Sequence, residues 1–343
     1  MLVLSLAGVG TGAEEKPTVQ GKEPIYEGKT LSEWIAVTKD KDPALQARAA
    51  VSLGRMGPAA IPALTELVTS KSEHVRVAAI EALGNMGPAV IPILFELLTE
   101  KNWRIRRAAA YTLGNIGPKA KSTVPALTKL LKDENAEIRE VAAGTLEKIF
   151  IHPRPTGMSF LSEKNESFLP VRDIGPATKE AIVALTKLLK DENLGVRIRA
   201  AYALGSIGPE AKTAIPALTE LVWSKSESQH DREAAVGALG GMGPTAIPVL
   251  IELLKENYWR IRRAAATALG NIGPEAKSAV SAITELLKEK NWQIRRDATI
   301  ALGKIGSESK AAVPALTELL KDENEEVRAV TAWTLEKIKQ ENK

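Results

Sequence analysis

The sequence contains no cysteine, three histidines, and few aromatic residues, which make up 4% of its 343 residues. Without cysteine, the chain can form no disulfide, no thiolate metal site and no cysteine nucleophile. The histidines (His74, His152 and His230) are far apart, and none has the spacing of a metal-binding motif such as HExxH. The pattern predicts no strands, and no glycine-rich phosphate loop follows one. We therefore expect no catalytic residues, no metal and no cofactor.

Charge and hydropathy exclude further classes of protein. The net charge is +4, with 26% charged residues, which is well below the charge density of a dedicated nucleic-acid binder. Residues 1–13 resemble the apolar segment and cleavage site of a signal peptide, although no basic residue precedes them. We expect a signal peptide at 1–13, a linker at 14–27, and export to the periplasm or another extracytoplasmic compartment. No other apolar run reaches the ~20 residues of a membrane span, so we expect no transmembrane anchor.

The main feature that is present is an internal repeat of about 30 to 35 residues, marked by the motif Leu-Gly-x-(Ile/Met)-Gly-Pro. The motif occurs at Leu53–Pro58, Leu83–Pro88, Leu113–Pro118, Leu204–Pro209 and Leu269–Pro274, with altered copies at Ile174–Pro176, Leu239–Pro244 and Leu302–Ser307. A repeat of this length is one supersecondary unit that buries its apolar face only against its neighbours. The sequence therefore predicts an elongated array whose function lies on an extended surface.

Each repeat is predicted to be a pair of helices. A proline falls in the first turn of the first helix, where its missing N–H costs nothing, at Pro62, Pro92, Pro125, Pro216, Pro248 and Pro314. The second helix has apolar residues on one face and ends at the motif, where Gly117, for example, is expected to be left-handed. The predicted hairpins span 28–56, 57–86, 87–116, 117–149, 175–207, 208–242, 243–272, 273–305 and 306–338.

These nine hairpins form two halves, 28–149 and 175–338, followed by a tail at 339–343. Residues 150–174 interrupt the array with three of the four phenylalanines and three prolines, and we expect this insert to pack on the array. Both halves end with the letters TLEKI, and the octapeptide WRIRRAAA occurs at residues 103–110 and again at 259–266. The halves therefore look like copies of one block.

The consensus LGxIGPeAkxAiPaLtelLkDeneeVR resembles the HEAT-like repeats of the phycobiliprotein-lyase type, which occur in bacterial scaffolding proteins, and the resemblance covers residues 28–338. It implies an all-α, right-handed α-solenoid with second helices along a concave surface. It also implies that the protein is a scaffold of the bacterial, exported type. It says little of function, because unrelated activities use the same packing unit.

One polar pair in the repeat has a structural interpretation. An arginine stands seven residues before the last leucine of the second helix, at Arg76, Arg106, Arg139, Arg197, Arg232, Arg262, Arg295 and Arg328. An acidic residue lies six positions earlier, at Asp40, Glu100, Asp133, Asp191, Glu256, Glu289 and Asp322. We expect these residues to bridge adjacent repeats through the guanidinium fork, so they are excluded from any site. Repeat one has Gln46 in place of the arginine.

The exposed side of the second helices supplies the candidate site. Tryptophan, tyrosine and arginine are the residues enriched at protein-binding hot spots, and here they recur on that side at Trp103, Arg104, Arg107, Tyr111, Tyr202, Trp259, Arg260, Arg263, Trp292, Arg296 and Trp333. Each tryptophan has the alternative role of covering a neighbouring turn, since tryptophan usually buries most of its area. Acidic residues such as Glu140 and Glu233 interrupt the arginines, which favours a protein partner over nucleic acid.

We therefore predict a non-enzymatic scaffold or assembly subunit that binds protein and bridges two copies of one partner through the two WRIRRAAA segments. Two alternatives stay open. One is a nucleic-acid-binding or base-excision protein of the same repeat type; helical-repeat DNA glycosylases use an aromatic and acidic concave cleft. The other is a bilin lyase-like protein, suggested by the resemblance. An export signal argues against both, and the oligomeric state is left open by the sequence.

Overall fold

The computed structural model describes residues 18–20, 23–151, 175–224 and 228–340, which divide into two compact units at Ala120 and Lys121. In these residues eighteen α-helices pair into nine hairpins, as predicted, and the fold is an all-α solenoid. We number the repeats one to nine; repeat one is formed by α1 and α2, and repeat nine by α17 and α18. No helix among the described residues has the length and hydrophobicity to span a membrane.

The first unit begins with three short strands, so the expectation that the chain lacks strands is wrong. They form an antiparallel sheet in the order β1, β2, β3 (Thr18–Gln20, Glu23–Tyr26, Lys29–Thr30). The helices that follow are α1 Leu31–Val37, α2 Pro43–Arg55, α3 Ile61–Leu67, α4 Glu73–Gly84, α5 Ile91–Leu97 and α6 Trp103–Ile116. Strands β1 and β2 lie in the segment predicted as a linker.

The second unit contains the other six hairpins. Its helices are α7 Val124–Leu130, α8 Ala136–Phe150, α9 Pro176–Leu188, α10 Leu194–Ile207, α11 Ile215–Trp223, α12 Gln229–Gly241, α13 Ile247–Leu253, α14 Trp259–Ile272, α15 Val280–Glu285, α16 Trp292–Ile305, α17 Val313–Glu318 and α18 Glu325–Gln340. The predicted signal peptide at 1–13, residues 152–174 of the predicted insert and residues 341–343 of the predicted tail lie outside the described residues.

Short 3-10 helices replace the turns that were expected after the Gly-Pro motif. They span Pro58–Ala60, Gly87–Val90, Gly117–Thr123, Gly208–Ala214, Gly243–Ala246, Gly273–Ala279 and Gly306–Ala312, and two more, Leu286–Lys288 and Leu319–Lys321, extend α15 and α17. The prolines at 62, 92, 125, 216, 248 and 314 lie in the first turn of the first helices, as predicted.

Gly117 shows why the motif requires glycine at the end of a second helix. Its φ of 70° is positive, as predicted, but its ψ of −140° lies far from the left-handed helical value that we expected. This region of positive φ with extended ψ is accessible essentially to glycine alone. The residue therefore reverses the chain direction sharply, and the 3-10 helix begins directly after α6.

The first glycine of the motif, directly after the last leucine, has a different function in most repeats, which the sequence pattern did not predict. Gly270 lies inside α14, and a Cβ built on it would come within 2.7 Å of the Cα of Ala301 in α16. Gly54, Gly205, Gly240 and Gly303 make equally close approaches to the next second helix. Beside them, the last leucine of each second helix from α2 to α16 is completely buried. The second helices of neighbouring repeats therefore pack almost backbone to backbone within each unit.

The arginines seven residues before these leucines link adjacent repeats, as predicted. Arg295 of repeat eight shows the arrangement most fully. Its Nε and Nη2 atoms donate to the two carboxylate oxygens of Asp322 in repeat nine at 2.7 and 2.8 Å, and Nη1 donates to the carbonyls of Glu289 and Lys290 in its own turn. The same fork joins Arg139 to Asp191, and Arg262 lies 3.1 Å from Glu289. One guanidinium thus holds two turns together.

The buried charges of this clamp are stabilised by one another. The hydrogen bonds from Arg295 lower the pKa of Asp322, although burial opposes the charge, and the N–H of Asn324 adds a further bond. Conversely, the hydrogen bond to Asp322 raises the pKa of Arg295. For Asp191 burial is the largest influence and favours the protonated form, but the bonds from Arg139 and the N–H of Asn193 outweigh it and lower its pKa. Both carboxyl groups are therefore ionised in the folded chain.

The clamp departs from the predicted pattern in three places. Arg197 donates to Asp231, a fully buried residue of α12, because repeat six has no acid at the expected turn position. Arg76 bonds the carbonyl of Ser70 but, among the described residues, makes no ion pair with Glu100. In repeat one, the amide of Gln46 donates to the carbonyl of Asp40. It thus replaces the bond from the arginine to its own turn, but not the ion pair with the next repeat.

The strands β2 and β3 cover the start of the first unit. The indole N–H of Trp34 in α1 donates to the carbonyl of Tyr26 at 2.8 Å, and the ring is buried. Arg48 of α2 forms an ion pair with Glu27 in the β2–β3 turn at 3.1 Å. Thr30 and Glu33 form a capping box at the start of α1. The hairpin of β2 and β3 is therefore a cap on repeat one.

We expect Gly270→Ala to lower the free energy of unfolding by about 1 to 3 kcal/mol, because the new methyl group overlaps the α16 backbone. The matched control is Gly237→Ala in α12, where a Cβ would meet nothing within 4 Å. That change should stabilise the helix by as much as about 1 kcal/mol. Urea unfolding followed by circular dichroism measures both; equal effects at the two positions would contradict the close helix contact.

We expect Arg295→Ala to cost about 3 kcal/mol, because it leaves the buried carboxylate of Asp322 without its partner. Arg260→Ala is the control, since Arg260 is exposed and lies 3.6 Å from Glu233. Pairs of that kind contribute less than about 1 kcal/mol. Urea unfolding of both variants tests the difference, and a loss at Arg295 no larger than that at Arg260 would show that the clamp is dispensable.

Candidate functional site

The candidate site residues lie on the exposed side of the second helices, which we call the second-helix face. Trp103, Trp259 and Trp292 are each the first residue of their helices, α6, α14 and α16. Asn102 and Asn291 cap two of these helices by accepting a backbone N–H. Each tryptophan is half-buried. The helix start thus fixes the ring position and leaves part of the ring accessible to a partner.

A cationic side chain lies over each of these rings. The guanidinium of Arg104 is 4.9 Å from the ring centre of Trp103, and that of Arg296 is 5.2 Å from Trp292. Trp259 has two such neighbours, Arg260 at 5.4 Å and Arg263 at 5.3 Å. Lys337 lies 5.5 Å from the ring of Trp333. The attraction between a cation and an aromatic face orders both side chains.

The same arginines also form ion pairs with a neighbouring second helix. Arg104 lies 3.1 Å from Glu73 of α4, and Arg260 lies 3.6 Å from Glu233 of α12. Arg263 lies 3.5 Å from Asp297 of α16. Each of these arginines is therefore held between a tryptophan ring of its own helix and a carboxylate of a neighbouring second helix. These pairs lie on the second-helix face. They are separate from the clamp arginines, which bind the turns.

Arg296 shows the electrostatics of these pairs. Its Nε donates to Asp297 and its Nη1 to Glu326 of α18, both at 2.9 Å. Burial opposes its charge, but these two hydrogen bonds outweigh that effect and raise the pKa of Arg296. In the first unit, the hydrogen bond from Asn102, together with Arg104, lowers the pKa of Glu73. The face therefore carries fixed charges of alternating sign.

The structure brings some of the candidate residues together and leaves others apart. On α6, Trp103, Arg104, Arg107 and Tyr111 follow one another along one side of the helix, and Tyr111 is 51% exposed. In the second unit, Asp297 connects Arg263 of α14 to Arg296 of α16, so the Trp259 and Trp292 groups are continuous. Tyr202 lies on α10, two second helices before α14, and is 41% exposed. Trp333 lies on α18 beside Gly303 of α16.

One exposed tryptophan lies on the first helices and was not predicted as a site residue. Trp223 ends α11, is 44% exposed, and donates its indole N–H to Glu256 at 2.9 Å. With Ile215, Pro216 and Val249 it lines a shallow, open hollow. The signal was present in the sequence, because the position of Trp223 is occupied by threonine or lysine in other repeats. Asp297 was not predicted as a site residue either, since its ion pairs depend on its distance from two arginines.

The described residues contain no group of three or more histidine, aspartate or glutamate side chains that could hold a metal ion. The hollow at Trp223 is open to solvent and lacks a converging set of acid, base and nucleophile, since the polar side chains around it are Thr219, Glu220 and Ser224. The arrangement can therefore contact another molecule over a surface.

Comparison with known proteins agrees with this description. No curated protein matches the sequence. Among solved structures, the chain is similar to a crystal structure of an engineered protein from the Northeast Structural Genomics Consortium, with 25% sequence identity and a TM-score of 0.53. The similarity covers 89% of this chain and 88% of that one.

The family model that matches describes HEAT repeats. It matches at residues 31–114, 91–161, 172–229, 224–302 and 280–343, which together cover nearly all of the array. The matched segments include every one of the described α-helices. The chain therefore belongs to the HEAT-repeat family.

Proposed function

We propose that this protein is a non-catalytic scaffold or assembly subunit that binds a protein partner through its second-helix face. HEAT repeats generally serve as protein-interaction scaffolds, because stacked repeats offer an extended surface in place of a closed pocket. The observation that carries the proposal is the recurrence of a half-buried tryptophan with an arginine over its ring, at Trp103, Trp259 and Trp292.

These stacks suit protein recognition because they are ordered before a partner arrives. Binding costs free energy for each flexible side chain that becomes immobile. Arg104, Arg260 and Arg296 are already held by a ring and by a carboxylate, so little of that cost remains. Tryptophan and arginine in such positions are typical of binding hot spots. The alternation of arginine with glutamate and aspartate across the face favours a protein surface of mixed charge.

We further propose that the two WRIRRAAA segments bind two copies of one partner. The segments lie on α6 in the first unit and α14 in the second, and their local structures agree. In each, the arginine after the tryptophan lies over the ring and also pairs with an acid of the preceding second helix, Glu73 or Glu233. When the two partner copies belong to one larger complex, two linked sites raise the overall affinity by roughly 10² to 10⁴. Such a chain would bridge subunits of a larger complex.

Replacement of the two tryptophans tests the bridging proposal. The tagged chain is used to capture its partner from the cells that produce it, and the bound protein is identified and counted by mass spectrometry. We expect two copies per chain, one copy with Trp103→Ala or Trp259→Ala, and none with both changes, because each ring anchors one copy. Trp223→Ala is the control, since this exposed tryptophan lies on a first helix.

Circular dichroism of each variant checks that helicity is retained. An unchanged number of bound copies in the double variant would contradict the proposal. Recovery of nucleic acid, with binding that weakens steeply as salt increases, would favour the nucleic-acid-binding or base-excision alternative. Capture of a bilin pigment would favour the lyase alternative.

We also propose that the chain is exported, on the basis of its apolar first residues, and that it acts in the periplasm or another extracytoplasmic compartment. The expected result is a mature chain that begins close after Ala13 and is recovered from the extracytoplasmic fraction. Cell fractionation followed by N-terminal sequencing tests this. A chain that retains Met1 and stays with cytoplasmic markers would show that the segment is not a signal peptide.

A further inference from the structure

Among the described residues, α18 has an exposed face at a position that every other second helix buries. Three residues before its last leucine lies Ala332, which is exposed, and Leu335 itself is half-buried. In all eight preceding repeats the equivalent residues, such as Thr299 and Leu302 of α16, are buried. In repeat eight this face receives the next helix, because Thr334 of α18 donates a hydrogen bond to the carbonyl of Thr299. The open face of α18 therefore has the position of a helix contact.

The charged groups on this face match those that bind a neighbour elsewhere in the second unit. Repeats four and nine end in the same five residues, TLEKI. In repeat four, Glu147 pairs with Arg199 of α10 at 3.1 Å, and Arg139 pairs with Asp191. The equivalent residues of repeat nine are Glu336 and Arg328. Arg328 donates Nη1 to the carbonyls of its own turn, as the other clamp arginines do, but no acid binds its fork among the described residues.

The start of the first unit does not offer a matching open end. Arg48 of α2 is the equivalent of Arg199, and Glu27 of the β2–β3 turn already binds it. Beside it, Ser52, which faces the same way, is almost completely buried. The cap thus occupies the place of a preceding repeat. Stacking of one chain's last repeat on another chain's first repeat would require removal of this cap.

The charges on the open face of α18 are symmetric in a way that fits a second copy of the same helix. Glu325, Arg328, Ala332, Glu336 and Lys339 lie within about 40° of one direction around the helix, given 100° per residue. Ala332 is the midpoint, with Arg328 and Glu336 four residues away on either side and Glu325 and Lys339 seven residues away. When two such helices run antiparallel across Ala332, Glu325 faces Lys339 and Arg328 faces Glu336.

We propose that this face of α18 binds a second copy of the chain in a two-fold symmetric, antiparallel contact. A two-fold contact requires a surface that is complementary to itself, and the order of charges on α18 meets that requirement in both pairs. The small side chain of Ala332 at the midpoint allows the helices to approach closely, and Leu335 gains an apolar contact. A single helix pair is smaller than a stable protein interface of about 1,200 Å² or more, so the dimer is weak and depends on concentration.

Charge reversal on α18 tests the proposal. Glu325 and Lys339 are both exposed, so their replacement leaves the interior unchanged. Sedimentation equilibrium of the full chain should show a monomer–dimer equilibrium. Glu325→Lys and Lys339→Glu should each lower the association constant about tenfold, because each change places like charges together twice in the symmetric contact. The double variant should recover the association of the original chain, since the two charges have only exchanged places.

Two further variants complete the test. Ala332→Glu puts two carboxylates together at the symmetry axis and should abolish the dimer. Glu318→Lys, on the exposed side of α17, changes the net charge by the same amount as Glu325→Lys and should leave association unchanged. A chain that stays monomeric at all concentrations would overturn the proposal, as would a double variant that associates no better than the single ones. Open-ended growth beyond the dimer would also overturn it, because it would indicate stacking of last repeats on first repeats.

Discussion

The close contact between second helices of neighbouring repeats is the constraint on which the rest of this structure depends. Glycine follows the last leucine in most second helices, and it lets the next helix approach until its backbone lies against the glycine, as Gly270 does against Ala301. This short spacing brings the turn of one repeat within reach of an arginine in the repeat before it. The clamp of Arg295 with Asp322 and the turn carbonyls follows from that proximity. The clamp then orients the turn, and the helix that begins after it.

The second-helix face is a product of the same spacing. Since neighbouring second helices are close, a side chain on one helix can reach a carboxylate on the next, and arginines such as Arg263 and Arg296 are held in this way. Each tryptophan at a helix start then lies under a cation that is already fixed. A repeat that evolved for packing thus produces an ordered row of aromatic and charged groups on its exposed side. The binding function that we propose rests on this row, which differs from one repeat to the next.

Much of the architecture could be predicted from the sequence because the same pattern of residues recurs in many repeats. The nine hairpins, the first-turn prolines and the structural arginines each recur with fixed spacing, so a single ambiguous repeat does not change the prediction. Features that occur once were missed. The strands before α1 have no counterpart among the other described residues, and Asp231, the third residue of α12, replaces a turn acid. The role of glycine in close helix packing could not be predicted, because the sequence does not show how closely two backbones approach.

The candidate site could be predicted only in part from the sequence, for a related reason. The sequence indicated which aromatic and basic residues lie on the second-helix face, but not that their charges are shared with acids such as Asp297 and Glu326. Those pairs depend on distances between helices.

The most direct test of this account is hydrogen–deuterium exchange of the chain with and without its captured partner. The backbone N–H groups at the start of a helix lack the partner four residues earlier that later groups have, so exchange in the first turns of α6 and α14 is sensitive to a partner that covers them. We expect the partner to slow exchange in both of these turns. Slowed exchange confined to the first helices, for example around Trp223 in α11, would contradict it.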